Sequence, residues 1–342
     1  MDLSKITLCK DNLISEAVKS LNSSGVGIVL VNDTNDVFIG TITDGDIRRG
    51  ILAGFDLSAS ISKIVRKNPL VVNKEISYEE AVSIMQSNNL RHLPVLKNGI
   101  LIDLHLLNRK SSNVREEIFF IMAGGFGKRL YPHTKDTPKP MLFVAGKPIL
   151  EHIILRAKKE GFINFCIAVH YLSNVVKDYF GNGSKLNINI EYIDENVPLG
   201  TAGALSLFKP KNKLPIVITN GDVITDISYS NVLNYHYYHS AFATMSVTTH
   251  YLQNPFGVVL LEDITIKGFE EKPVFESFIN AGIYVLSNGF KELMVHNSPI
   301  DMPDLIMNLK EYGKKVIACP AYEEWSDIGN PADLTELRSQ HE

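Results

Sequence analysis

IFFIMAGGFGKRLYPHTKDTPKPMLFVAGKPIL, residues 118–150, decides how the rest of the chain is read. Five apolar residues run straight into a turn holding Gly124, Gly125 and Gly127, with Arg129 and Lys139 close behind. An unbroken apolar run of this length suits a strand buried on both faces. Glycines at its carboxyl end let the backbone approach a ligand and aim N–H groups at it, and the two cations supply the charge a polyphosphate needs. By itself a GG-x-G turn is equally a plain tight turn. Two common phosphate loops are excluded on residue identity. The dinucleotide fingerprint requires a third glycine that GFGKRL lacks, and a Walker loop requires Ser or Thr after Gly-Lys, where Arg129 stands.

Downstream, the apolar runs FCIAVHY (165–171) and PIVIT (215–219) alternate with helix-like ILEHIILRAKKEG (149–161) and SNVVKDYF (173–180). This predicts an α/β domain over 118–342 with a mixed, mainly parallel central sheet flanked by helices. AFATMSVTTH, PFGVVLLED and ITIKGFEEK read as antiparallel strands, separated by turns at Asn254-Pro255 and Glu262-Asp263.

Upstream, residues 1–110 repeat themselves. Ile6 and Leu8 recur as Leu70 and Val72, Ala17 and Val18 as Ala81 and Val82, and Val29 and Val31 as Leu93 and Val95, always 64 positions on. The turn NDTNDV then corresponds to a tighter KNGI, which puts Ile42 against Ile102, 60 positions on. Each copy reads strand, helix, strand, turn, strand, helix. The expectation is an α+β pair, about 1–60 and 61–110, whose halves bury against each other because neither is large enough to close a core alone. The polar stretch 111–117 is the expected linker.

At 342 residues the chain is long enough for two domains, and 45% hydrophobic with 21% charged residues is an ordinary globular balance. A net charge of -4 leaves no basic excess for a general nucleic-acid binder. No apolar run approaches the roughly 20 residues that cross a bilayer, and no basic region followed by an apolar run opens the chain. Cys9, Cys166 and Cys319 form no CxxC pair, which suits a reduced, cytoplasmic protein. The cluster Tyr235 to His239 lacks the spacing of a metal site and reads as a surface helix, and Trp325 as pocket wall or core.

Further along, Asp222 follows the buried run PIVITN, at the strand end where α/β sheets place their chemistry. With GGFGKRLYPHT, the later PKP and this NGD in place, the chain resembles the sugar-1-phosphate nucleotidyltransferase family. That resemblance implies a Rossmann-like domain that joins a nucleoside triphosphate to a sugar 1-phosphate, releases pyrophosphate and uses Mg²⁺. Carried over position by position, it makes Arg129, Lys139, Asp222 and Lys272 catalytic. Ala123, Gly124, Gly125 and Gly127 would cradle the nucleotide. Gly200, Thr201 and Gly203 of PLGTAGAL would meet its base. Asp222 and Asp327, the latter in WSDIG, would hold the metal. Glu271 and Lys272 of EKP, Asn280 of NAG and Gly257 of PFGVV would face the sugar and its phosphate. LGTAG is closer to guanylyltransferases than to thymidylyl or cytidylyl members, so GTP is favoured and UTP is the runner-up. A non-catalytic nucleotide sensor is the competing reading, which the retained charges oppose.

The front repeat resembles a tandem CBS pair, a module that commonly binds adenine nucleotides. Thr43 and Asp46 of GTITDGDIRRG fill its Thr-x-x-Asp element, while the second copy has Asp103 and Leu106. The resemblance implies one lost site, a regulatory role and a homodimer or larger homo-oligomer. The two modules in this order are similar to glucosamine-1-phosphate guanylyltransferases of bacterial legionaminic acid pathways.

Overall fold

The computed structural model describes residues 3–73, 76–88, 90–107, 114–327, 331 and 333–335, and the chain divides into two units, Met1–Ser111 and Ser112–Glu342. In the first, β1 (Thr7–Cys9), α1 (Ile14–Ser24), β2 (Val29–Asn32), β3 (Phe38–Ile42) and α2 (Asp44–Leu52) form one copy, followed by β4 (Arg66–Lys67). The second copy holds α3 (Tyr78–Ser87), β5 (His92–Lys97) and β6 (Ile100–Leu106). The stretch where its last helix is expected lies outside the described residues.

The repeat is written into the strand register. Leu8 pairs in parallel with Val31, and Val72 pairs in parallel with Val95, each 64 positions later. The third strand corrects the sequence alignment. Val29 faces Ile42 and Leu93 faces His105, so Ile42 corresponds to His105, 63 positions on, and not to Ile102. The reason is the connection between β5 and β6. Asn98 (φ 52°) and Gly99 (φ 79°) are both left-handed, as a two-residue hairpin turn requires, and the flanking residues join the strands. Thr43 therefore corresponds to Leu106 and Asp46 to position 109, which is outside the described residues, in place of Asp103 and Leu106. The copies do bury against each other: Ile6, Ile28 and Leu30 pack with Leu104 of the second copy. His92 Nε2 lies 2.8 Å from Val26 O, and Phe38 N–H donates to Gly99 O at 3.1 Å.

In the second unit β7 (Arg115–Met122) begins inside the expected linker, because Arg115 N–H donates to Gly161 O and its guanidinium lies over the Phe162 ring. Positions 111–113 of that linker lie outside the described residues. Then follow β8 (Phe143–Val144), β9 (Lys147–Pro148), α4 (Ile149–Lys159), β10 (Phe162–Val169), α5 (Ser173–Phe180), β11 (Asn189–Asp194), β12 (Ile216–Asn220), β13 (Val223–Thr225), α6 (Tyr229–Tyr238) and β14 (Ala243–Gln253). The last elements are β15 (Val258–Glu262), β16 (Thr265–Glu270), β17 (Val274–Leu286), α7 (Met302–Glu311), β18 (Val316–Ala321) and β19 (Trp325–Asp327). Seven strands form the central sheet in the order β11-β10-β7-β12-β17-β14-β18, with β17 antiparallel to both neighbours and the other pairs parallel.

The run 118–122 is apolar throughout because both faces of β7 are covered. Phe119 and Ile121 pack beneath α4, α5 and α6, whereas Ile118 and Phe120 pack against α7 and the 202–208 segment. None of the described helices is long and apolar enough to cross a membrane.

The Tyr235 to His239 cluster departs from expectation. It lies on and just after α6, but Tyr235 and His236 are buried, and the two His236 ring nitrogens sit 2.9 Å from Thr244 Oγ1 and Ser287 Oγ. Burial pushes the His236 imidazole down to about 4 from its ordinary 6.5. Between those values the unfolded chain takes up a proton that the native one refuses, so stability falls as pH drops from 6.5 to 4. Urea unfolding should show wild type losing about 2 kcal/mol more than His236→Gln between neutral pH and the acid end of this window. Equal losses would show that the His236 pKa is not depressed in the folded chain.

Candidate functional site

β7, β11 and β12 end on the same side of the sheet, and the segments leaving them enclose a cavity of about 470 Å³. The glycine turn forms one wall. A side chain on Gly124 would come within 2.4 Å of Glu195 Oε1, so only glycine fits there. Above Gly125 nothing lies within 4 Å, which leaves that backbone open to a ligand. Gly127 is left-handed (φ 63°), and a side chain on it would strike Thr134 and Lys139. The buried Thr134 hydroxyl donates to Gly127 O at 2.9 Å, which pins the turn from below. Arg129 is exposed on the cavity wall, where it has no acidic partner among the described residues.

The floor carries a charge pair. Lys139, buried in a short turn between two prolines, donates from Nζ to Asp222 Oδ2 at 2.5 Å. Asp222 Oδ1 is buried without a hydrogen-bond partner, as is Asn220 Oδ1 two residues earlier. A carboxylate oxygen in that condition wants a cation or a donor. Gly221 lets the two strand ends touch: its N–H donates to Met122 O at 2.8 Å, and a side chain there would strike the same oxygen at 2.9 Å. β13 pairs with β19, which sets the Asp327 backbone opposite Val223, directly after Asp222. The Asp327 side chain lies outside the described residues. No cluster of three potential metal-ligating side chains occurs among those described.

The opposite wall is the 198–201 turn. Gly200 is left-handed (φ 75°) and backs onto Ile300 O and Asp301. Thr201 lines the cavity with its hydroxyl already engaged: it donates to Asp301 Oδ1 at 3.1 Å and accepts from Met302 N at 2.8 Å, anchoring the start of α7. Gly203 does not line the cavity. It is buried, and a side chain there would strike Leu199 and Ser298 O at 2.7 Å.

Glu195, which the sequence pattern did not mark, completes this wall. It is 8% exposed, accepts from Leu199 N–H at 3.1 Å, and has no basic side chain in ion-pair contact among the described residues. Desolvation raises its pKa above the ordinary carboxylate value.

The remaining expected residues stand apart from the cavity. Glu271 and Lys272 occupy an exposed turn between β16 and β17, with Lys272 left-handed at φ 47°. Gly257 belongs beside them, since a side chain on it would come within 3.0 Å of Glu271 Oε2. Asn280 on β17 donates to Tyr284 Oη at 2.6 Å and accepts from Gly282 N–H at 2.9 Å. Gly282 bridges the two regions, because a side chain there would strike Asn220 Nδ2 at 2.9 Å. Trp325 Nε1–H donates to Ala281 O at 2.8 Å and holds this bend.

A family model for nucleotidyl transferases matches residues 119–342, and the chain belongs to that family. A CBS domain model matches residues 2–53 and 61–103, the two copies of the front unit. Over 222 residues the chain is 33% identical to mannose-1-phosphate guanyltransferase beta-B of Xenopus laevis, covering 63% of this chain and 61% of that protein. Over 232 residues it is 33% identical to mannose-1-phosphate guanylyltransferase 1 of Arabidopsis thaliana, covering 64% and 63%. The chain thus spans less than two thirds of the length of these curated relatives. Among solved structures, HddC from Yersinia pseudotuberculosis complexed with GMP-PN shares the fold, with a TM-score of 0.52 at 22% identity over 66% of this chain and all of that one.

Proposed function

We propose that the chain transfers a nucleotidyl group from a nucleoside triphosphate, GTP in preference to UTP, to mannose 1-phosphate or an amino-hexose 1-phosphate, releasing pyrophosphate. The product would serve bacterial glycan or nonulosonic acid assembly. The observation that carries this reading is the convergence of the glycine turn, Arg129, the Lys139–Asp222 pair and Glu195 on one cavity. The activities named for the Xenopus and Arabidopsis relatives support it.

In this reaction a sugar-phosphate oxygen attacks the α-phosphorus in line. The bond from that phosphorus to the β-bridging oxygen breaks, and pyrophosphate leaves with the electron pair. The attacking oxygen is already anionic, so positioning and charge neutralisation suffice without a general base. Backbone N–H groups from Ala123 to Gly127 and the Arg129 guanidinium take the leaving phosphates. Lys139 meets the phosphate under attack, and Lys272 neutralises the sugar phosphate. Glu271, Asn280 and Gly257 face the sugar. Asp222, joined by Asp327, would hold Mg²⁺, and the buried unpartnered Asp222 Oδ1 fits a cation. When bound, the ion offsets the repulsion between two phosphate-bearing substrates.

Glu195 supplies the argument for guanine. Guanine offers two adjacent donors, N1–H and the 2-amino group, and a carboxylate is a pure acceptor that can take both. Uracil offers one donor flanked by two carbonyl oxygens, which a buried carboxylate repels.

Pyrophosphate release should be measured with mannose 1-phosphate, glucosamine 1-phosphate and N-acetylglucosamine 1-phosphate, each against GTP and UTP in Mg²⁺. GTP-dependent turnover on one of them is the expected result. Silence on every pair would overturn the reading, and a UTP preference would keep the chemistry while removing Glu195 from base selection.

For the front unit the proposal is regulation by an adenine nucleotide at Thr43 and Asp46, in a homodimer or larger assembly. Asp46 Oδ2 accepts from Thr43 N–H at 2.8 Å and from its hydroxyl at 2.6 Å, and Oδ1 accepts from Arg49 at 2.5 Å. Ribose hydroxyls would compete for these contacts. Asp46→Ala should remove the response of turnover to AMP or ATP and cost about 1 kcal/mol through the lost helix cap. An unchanged nucleotide response would exclude this site.

A further inference from the structure

Glu195 stands one residue past β11, the edge strand of the sheet, so β10 is the strand beside it. Its N–H donates to Val169 O at 2.9 Å and carries the β10–β11 pairing one residue further. The pairing stops there, because β10 ends at Val169 and the chain turns away through left-handed Leu172 (φ 50°). A side chain replaces the missing backbone donor. His170 Nδ1 lies 2.6 Å from Glu195 O, and a carbonyl only accepts, so Nδ1 carries the proton. The peptide groups on both sides of the Glu195 Cα are thereby held by consecutive residues, Val169 and His170.

The same imidazole supports the facing wall. Its ring meets Phe126 edge-on, with centroids 5.3 Å apart at 90°, and Tyr171 flanks Phe126 at 5.4 Å. Tyr171 is itself fixed, since its hydroxyl donates to Lys135 O at 2.7 Å. Between the walls, a side chain on Gly124 would come within 2.4 Å of Glu195 Oε1 and 3.4 Å of His170 Cβ. Phe126 and Glu195 line the cavity, whereas His170 stands behind both. Desolvation raises the Glu195 pKa, and the Leu199 N–H and the His170 ring pull it back down.

We propose that His170 is a positioning residue that sets the nucleotide preference of the cavity, by fixing where Glu195 presents its carboxylate relative to the glycine turn. This rests on the reading of Glu195 as the group that meets the base. A carboxylate takes two adjacent donors only when both oxygens face them at hydrogen-bond distance, and such a paired contact weakens steeply with misalignment. Releasing Glu195 O from His170 lets the peptide that carries the carboxylate swing. Guanine, which needs two bonds at once, then loses more than uracil, whose carbonyl oxygens gain nothing from that carboxylate. The edge strand offers no second neighbour to take over the hold.

The test is equilibrium binding of GTP and of UTP to the full chain in Mg²⁺, by calorimetry without sugar phosphate, so that an inactive chain still answers. His170→Asn hangs its amide nitrogen on the same carbon that bears Nδ1, whereas His170→Gln moves it one bond outward. Both lose the ring beside Phe126, so a loss common to both nucleotides and both variants reports that contact, and a thermal melt of each checks its fold. His170→Gln should bind GTP roughly tenfold more weakly relative to UTP, the worth of one buried hydrogen bond, and His170→Asn should stay within about threefold of the wild-type ratio. In a Glu195→Gln background neither substitution should change the ratio further, which a general loosening of the fold would not obey. A wild-type ratio in His170→Gln, equal shifts of the ratio in both variants, or effects additive with Glu195→Gln would each overturn the proposal. Wild type without a GTP preference would overturn it together with the base reading, whereas a preference lost in Glu195→Gln and kept in His170→Gln would overturn the role of His170 alone.

Discussion

Asp222→Asn should lower pyrophosphate release by roughly 10³-fold, because the substitution removes a charge worth several kcal/mol to a site built from neutralised phosphates. The reasoning starts from two oxygens with different fates. Oδ2 holds Lys139 Nζ at 2.5 Å, and Oδ1 is buried with no partner. Asparagine keeps the shape of the side chain and one acceptor but offers no negative charge to a cation, and it weakens the contact with Lys139. The lysine is buried, so some stability is lost as well, about 1–3 kcal/mol for a buried hydrogen bond that loses its charged acceptor. A thermal melt recorded alongside the assay separates the two effects. A folded variant with more than a tenth of wild-type turnover would remove Asp222 from the chemistry. Excess Mg²⁺ should restore little of the loss.

Glu195→Gln should change which nucleotide is used. Glutamine replaces one of the two acceptors with an amide donor, which opposes a guanine donor and matches a uracil carbonyl. Each mismatched buried hydrogen bond to a charged group is worth about 1.5–3 kcal/mol, so kcat/KM for GTP should fall by roughly 10²-fold. The UTP-to-GTP ratio should rise by at least as much. The packing cost is small, because the amide has the shape of the carboxylate and can still accept from Leu199 N–H. Gly124 must remain glycine in this variant, since its Cα faces the same side chain. A ratio within threefold of wild type would show that Glu195 is a structural carboxylate.

Much of this site was legible because its parts are local. The glycine turn, Arg129 and Lys139 lie on one short segment leaving a buried apolar run, and Asp222, 83 positions beyond Lys139, is marked by its own place at the end of a second such run. Glu195 was not legible. Nothing distinguishes it in DENVPLG until β11 is seen to deliver it opposite Gly124, and the same holds for Asn220, Gly221 and Asp301. The second turn was half legible: Gly200 and Thr201 do line the cavity, but Thr201 is spoken for by Asp301 and Met302, and Gly203 serves packing against Ser298. Those partners are about a hundred residues away, beyond the reach of any local pattern. In the front unit, the apolar repeat gave the first two strands of the first copy and, in the second, the Val72 bridge and β5. It missed the third by three positions, because a two-residue hairpin lengthens both flanking strands without changing composition. His236 was misplaced because polar residues of α6 point inward to hydroxyls on β14 and to Ser287, which hydropathy does not register.

The mutual grip of Lys139 and Asp222 has a consequence for how a nucleotide arrives. Among the described residues three cations and two carboxylates line the cavity, so the net charge at the site is small. A polyanion approaching it feels little long-range pull, and encounter proceeds at the rate set by diffusion and orientation instead of steering. Arg129 and Lys128 attract at close range from the start, and Lys139 adds its share only once the pair has parted and it faces phosphate. Selectivity is thereby moved from the approach to the embrace: many nucleotides can visit, and the cavity commits only to one that rearranges its own charges.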